Sequence, residues 1–218
     1  MKKHEAGQTS WWAAVLLCAA ATVALLWLLR HAALSHLIDP WYQTRSFGLV
    51  AYVLLWLALC VGLAQSGGLL KGLSGPVANV EVHDYLSVLA LYATFYHMLI
   101  LLWDHYVGFT LSEILIPFAS HYQTGLLGLG GIAFYIMLLS IVTTYFRGRL
   151  GAKTWRVIHQ ASAVSFIFAW FHGVGAGTDF QINGVSLLFA GTGLVAMALL
   201  VYRVIRGGWG LASTAGRR

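Results

Sequence analysis

HDYLSVLALYATFYH, residues 83–97, decides the fold. The stretch is apolar enough to lie in lipid, yet it carries a histidine at each end. In an α-helix its fourteen-residue separation rises about 21 Å and falls about 40° short of four full turns. Both imidazoles therefore project from nearly one face at two membrane depths. A second stretch, HQASAVSFIFAWFH at residues 159–172, repeats the arrangement with a separation one residue shorter. Two such helices side by side offer two histidine pairs, one near each membrane surface. The shorter separation leaves His159 and His172 about 140° apart around an ideal helix. Either that helix is locally overwound or bulged, or the two sites meet it from different sides.

The composition requires a membrane. Of 218 residues, 59% are hydrophobic and 9% charged, a balance no soluble domain of this size sustains. Cys18 and Cys60 both fall in apolar runs, outside any CxxC or Cys/His cluster, so they read as small buried hydrophobes. This argues against a disulfide framework, an iron–sulfur cluster and a zinc site.

Six spans are expected, at about 11–29, 47–64, 80–103, 124–146, 157–173 and 185–201, each long enough for a bilayer core of about 30 Å. The first has the opening of a signal peptide, but it is long for one and continues past its small residues, so it is read as a retained span. Pro40, Trp41 and Tyr42 fall in a connector, and QSGGLLKGLSGP, ending at Pro76, stops the second span. The loop WDHYVGFTLSEILIPFASHYQ lacks Lys and Arg, and its middle suits a short helix lying flat on the membrane. Gly125, Gly128 and Gly131 open the fourth span with small residues that admit a close neighbour or a flat cofactor. The fold expected is an all-α six-helix transmembrane bundle forming one domain over 1–218, with polar basic tails at 1–10 and 207–218.

The net charge of +6 is sorted by side. With the N-terminus in the cytoplasm, Lys2, Lys3, Lys71, Arg147, Arg149, Lys153, Arg156, Arg203, Arg206, Arg217 and Arg218 lie on one side, and Arg30 and Arg45 on the other. The positive-inside rule then puts both termini in the cytoplasm and assigns the basic balance to topology, not to nucleic acid. It also pairs His83 with His159 toward the inside and His97 with His172 toward the outside.

An ionisable side chain within a span is expensive and is read as functional. The alternative is that each histidine makes an interhelical hydrogen bond and nothing more, which four of them in two matched pairs argue against. Zinc and copper want three or four ligands around one point, whereas each level here offers two imidazoles. Haem needs two axial ligands because the porphyrin supplies the other four. Two stacked bis-histidine haems would carry electrons across the membrane.

The two histidine spacings, with the basic loop ending WRVIH before the fifth span, resemble the ferric reductase-like transmembrane domain shared by NADPH oxidases and ferric-chelate reductases. The resemblance covers about 46–180. It implies two b-type haems with His83, His97, His159 and His172 as iron ligands, and electron flow from the cytoplasm to an acceptor on the outer face. Larger members feed the inner haem from a C-terminal module that binds FAD and NADPH. No GxGxxG opening a βαβ unit occurs in these 218 residues, so the donor is expected to be a separate reductase subunit or quinol. Size and span number look closer to small bacterial relatives, which implies a bacterial inner membrane. One such relative is the quinone-linked membrane subunit of the periplasmic methionine sulfoxide reductase system, from whose pattern His83 departs.

Arg45, Lys71 and Arg156 are candidate partners for haem propionates, as is Lys153, since a carboxylate at the membrane edge favours a nearby cation. His105 and His121 are candidates for an acceptor site, and Phe166 for packing between porphyrins or simply in the bundle. Two other functions compete with electron transfer. One is a haem-containing anchor or electron-donor subunit for a soluble oxidoreductase, to which co-purification would point. The other is a transporter with histidine proton relays, which would want Pro or paired Gly near mid-span. Pro40, Pro76 and Pro117 all fall in connectors.

Overall fold

The computed structural model describes residues 39–70 and 76–207, together with Ala20 and Ala24. The rest of the expected first span, including Cys18, lies outside the described residues, as do Lys71 and the basic tail beyond Gly207. Among the described residues the chain is helical without strands. Five helical stretches there are long and apolar enough to cross a membrane: Pro40–Gly67, Val80–Trp103, Thr124–Tyr145, Ala152–Ala176 and Asn183–Arg206.

Helix α1 is Pro40–Gly67. It begins seven residues before the expected start at Phe47, and the reason is local. The Asp39 carboxylate caps the Trp41 amide at 2.9 Å, and Pro40 occupies the first helical position, where its missing N–H costs no bond. Trp41, Tyr42 and Arg45 are therefore helical, not connector. The helix ends at Gly68, whose φ of 78° is left-handed and returns its N–H to Ala64 and Gln65. Helix α2, Pro76–Ile100, likewise begins at a proline, so Pro76 starts this helix, and Gly68 rather than Pro76 ends the preceding one. A 3₁₀ turn, Leu101–Trp103, extends it.

The following loop carries the expected short helix, α3, Leu111–Leu115, opened by a capping box in which Thr110 and Glu113 satisfy each other's backbone amides. Helix α4 is Thr124–Tyr145. The basic segment expected as a loop is instead largely helical, forming α5, Arg147–Leu150, and α6, Ala152–Gln160, which runs on into α7, Ser162–Ala176. A 3₁₀ turn, Thr178–Gln181, leads to α8, Asn183–Gly207.

The join between α6 and α7 answers the spacing problem of the second histidine stretch. At Ala161 the backbone tightens: its N–H reaches Ile158 O at 3.1 Å, and Val164 N–H reaches Ala161 O at 2.9 Å, both three residues back. Each residue in such a turn advances about 20° more than in an α-helix, taking up part of the shortfall between His159 and His172. Ser162 Oγ donates to His159 O at 2.6 Å and Ser165 Oγ to Ser162 O at 2.7 Å, covering carbonyls that the tightening loosens.

Helix α1 packs along α2, α4 packs on α7, and α1 also meets α7 and α8. Tyr52 of α1, Phe166 of α7 and Phe189 of α8 form one stacked centre, with Tyr52 4.3 Å from Phe189 and 5.8 Å from Phe166 between ring centroids. Phe166 is buried in the bundle at this centre. Ala90 of α2 with Phe134 and Met137 of α4 form a second centre. Indole N–H groups have no water in lipid, and here they find backbone: Trp56 Nε1 donates to Thr192 O at 3.1 Å and Trp170 Nε1 to Phe189 O at 2.9 Å.

Candidate functional site

Helices α2 and α6–α7 bring the four histidines together as two pairs. His83 and His159 have ring centroids 5.8 Å apart and planes crossed at 76°. His97 and His172 are 6.3 Å apart and crossed at 77°. Among the described residues no point gathers three or more His, Cys, Asp or Glu groups, so each level presents a pair of imidazoles.

Three of the rings are oriented by helix carbonyls. His83 Nδ1 lies 3.0 Å from Ala58 O, His97 Nδ1 2.8 Å from Thr44 O, and His172 Nδ1 2.9 Å from Leu126 O. A carbonyl only accepts, so in each ring Nδ1 carries the proton and donates, leaving the Nε2 lone pair free. That tautomer is the one found in histidines that bind metal through Nε2 with their other nitrogen anchored. His159 is the exception. Its Nδ1 is buried without a hydrogen-bond partner, and its ring stacks on Trp155 at 5.0 Å and 19°.

Imidazole nitrogens sit about 2.0–2.1 Å from a bound metal, so two rings sharing one ion from opposite sides have centres about 6.3 Å apart. The outer pair, at 6.3 Å, equals that span and the inner pair, at 5.8 Å, is slightly closer, and the donor set suits haem iron, which takes two axial ligands. A cavity of about 720 Å³ adjoins the inner pair, lined by His83, His159, Asp84, Arg147, Arg156 and Arg203 among others. Arg147 lies over the Trp155 ring at 4.3 Å, and Arg203 Nε donates to Ser66 Oγ at 3.1 Å.

The other expected residues fall elsewhere. Arg45 is ion-paired with Asp179, its Nε donating to the carboxylate at 2.8 Å, and lies over Trp41 at 5.3 Å. This strap joins the first turns of α1 to the turn before α8. His121 pairs with Glu113 inside the α3 loop and His105 is exposed; neither joins a histidine pair. Lys153 is exposed on α6, and Cys60 is a free, half-buried thiol in α1. The sequence reading did not name Asp179, and it used Arg147 and Arg203 for topology alone, not as site residues. It also passed over Gly48, Gly62 and Gly130, the glycines that face histidine rings, in favour of Gly128 and Gly131, which face Phe118 and Pro117 in the α3 loop. The separation of Gly48 from Gly62 equals that of His83 from His97, a signal present in the sequence.

Membrane-length helices holding paired imidazoles, three of the four anchored to backbone, define a multi-pass membrane protein with two imidazole-lined sites in its bundle. The family model described as Ferric reductase like transmembrane component matches residues 47–170, more than half of the chain, and the chain belongs to this family. Such domains bind haem b and serve transmembrane electron transfer. His83, His97 and His159 lie within the matched residues, and His172 two residues beyond them. Neither the curated proteins nor the solved structures offer a match.

Proposed function

We propose that this protein transfers electrons across a membrane through two b-type haems, one held by His83 and His159 and one by His97 and His172. The observation that carries the reading is the pair of facing imidazoles at each of two levels, three of the four rings anchored through Nδ1. Haem, when bound, supplies a one-electron ferric/ferrous couple at each level. The protein's own part is to present Nε2 from both sides, to exclude water with the aromatic centre around Tyr52 and Phe166, and to meet carboxylates with cations. Arg147, Arg156 and Arg203, which line the cavity beside His83 and His159, suit the propionates of the inner haem. Arg45 and Lys71 remain candidate partners in the same role, Arg45 sharing its charge with Asp179.

The same reading takes the basic end as cytoplasmic, places both termini there with a sixth span near the N-terminus, and runs electrons from a reductase or quinol at that end to an acceptor outside. Its support is the charge asymmetry: Arg147, Arg149, Lys153, Arg156, Arg203 and Arg206 gather toward the inner pair, and Arg45 stands near the outer. A bacterial inner membrane is the setting proposed.

The test is a reduced-minus-oxidised spectrum of the purified full chain from haem-replete cells. Low-spin haem b at two per chain is expected, with His97→Ala or His172→Ala removing one haem and His83→Ala or His159→Ala the other. Protein purified without haem would end the reading.

A further inference from the structure

Three glycines stand against three of the four histidines. A methyl group on Gly48 would lie 3.0 Å from both Nδ1 and Cε1 of His97, and one on Gly62 would lie 3.1 Å from Cε1 of His83. On Gly130 it would meet Nδ1, Cε1 and Cγ of His172 at 2.9, 3.0 and 3.1 Å. Each of these glycines also follows, by four residues in its own helix, the carbonyl that takes that histidine's Nδ1–H. Thr44 precedes Gly48, Ala58 precedes Gly62, and Leu126 precedes Gly130. In an α-helix the carbonyl at i−4 is the one bonded by the N–H of residue i, so the carbonyl and the glycine lie one turn apart on the same face.

We propose that Gly48, Gly62 and Gly130 are positioning residues for the haem ligands. Each opens a notch in its helix that lets an imidazole descend to the carbonyl one turn earlier, and that bond turns Nε2 toward the facing ring. This rests on the haem reading above. Ordinary helix packing does not account for the three positions, because what fills the space in front of them is the histidine ring. Gly131, next in line on α4, faces Pro117 at an ordinary 3.4 Å and touches no histidine. The fourth histidine supports the rule by lacking both parts. Fourteen residues after Gly130 stands Thr144, whose Oγ1 accepts from Trp155 Nε1 at 3.2 Å, and His159 rests on the Trp155 ring with no carbonyl at Nδ1.

The experiment compares full-length wild type with Gly48→Ala, Gly62→Ala, Gly130→Ala and the control Gly131→Ala. It measures haem per chain and the midpoint potential of each haem, with His83→Ala and His97→Ala identifying the two levels. Gly48→Ala and Gly130→Ala should lose the outer haem or, where it is retained, raise its potential, since a ligand without its Nδ1 bond is less basic and favours ferric iron less. The inner haem should be unchanged in both. Gly62→Ala should do the reverse, and Gly131→Ala should match wild type. Gly130→Ala should be the most severe, and Gly62→Ala, the mildest approach, keeps the test decisive where Gly130→Ala fails to accumulate. Two haems with wild-type potentials in all three variants, or both haems altered together in each, would overturn the glycine role while leaving the haem reading intact. Haem-free wild type would overturn both.

Discussion

At the scale of single residues, the crossed ring planes make a spectroscopic prediction. If each pair holds haem iron as proposed, imidazoles crossed at 76° and 77° would leave the two iron orbitals that overlap them nearly equal in energy. The oxidised protein should therefore give highly anisotropic low-spin EPR signals at both levels, whereas parallel rings would give ordinary rhombic ones. A second prediction concerns the α3 loop. Hydrogen bonds from the His121 side chain and from Thr110 hold the Glu113 carboxyl at about 2, below its ordinary value. A group depressed in the folded state stabilises it fully above its unfolded pKa and loses that effect as pH falls toward the folded one. Protection factors of amides 110–121, taken relative to the intrinsic exchange rate at each pH, should hold at neutral pH and fall between about pH 4 and pH 2, and Glu113→Gln should show the reduced protection at every pH. The four histidines were legible in the sequence because spacing within a helix is local information. The partner of Arg45 was not, because Asp179 lies 134 positions away and only the bundle brings them together.

At the scale of elements, the tightened turn at Ala161 separates the two halves of one span. Ser162→Ala removes the hydroxyl that covers His159 O, and it should lower the stability of the detergent-solubilised protein by about 0.5–1.5 kcal/mol in thermal or denaturant unfolding. Element boundaries were the least legible feature. Prolines at 40 and 76 read as interruptions, yet both occupy the first position of a helix, where a fixed φ helps and no amide is missed. The segment 147–156 read as loop from its charge and glycines. It folds as two short helices, with Trp155 stacked on His159 and Arg147 lying over the Trp155 ring.

At the scale of the whole molecule, apolar runs and charge asymmetry were enough to read a multi-pass helical protein, since both follow from what lipid tolerates. The contacts among helices were not readable that way, because in lipid they depend on shape and small residues more than on hydrophobicity. Topology is directly testable by single-cysteine labelling in a variant lacking Cys18 and Cys60. Arg149→Cys should react with an impermeant thiol reagent only in opened or inverted vesicles. Tyr106→Cys, in the loop between α2 and α3, should react in intact cells.

The equal separation of Gly48 from Gly62 and of His83 from His97 has a consequence for how this chain can change over time. Helices α1 and α2 act as a ruler and its matching scale, read in opposite directions. One residue inserted anywhere between the two glycines would swing one notch by about 100° around the axis while leaving the other in place. Substitutions along the lipid-facing side of that interval can accumulate freely, but its length is locked.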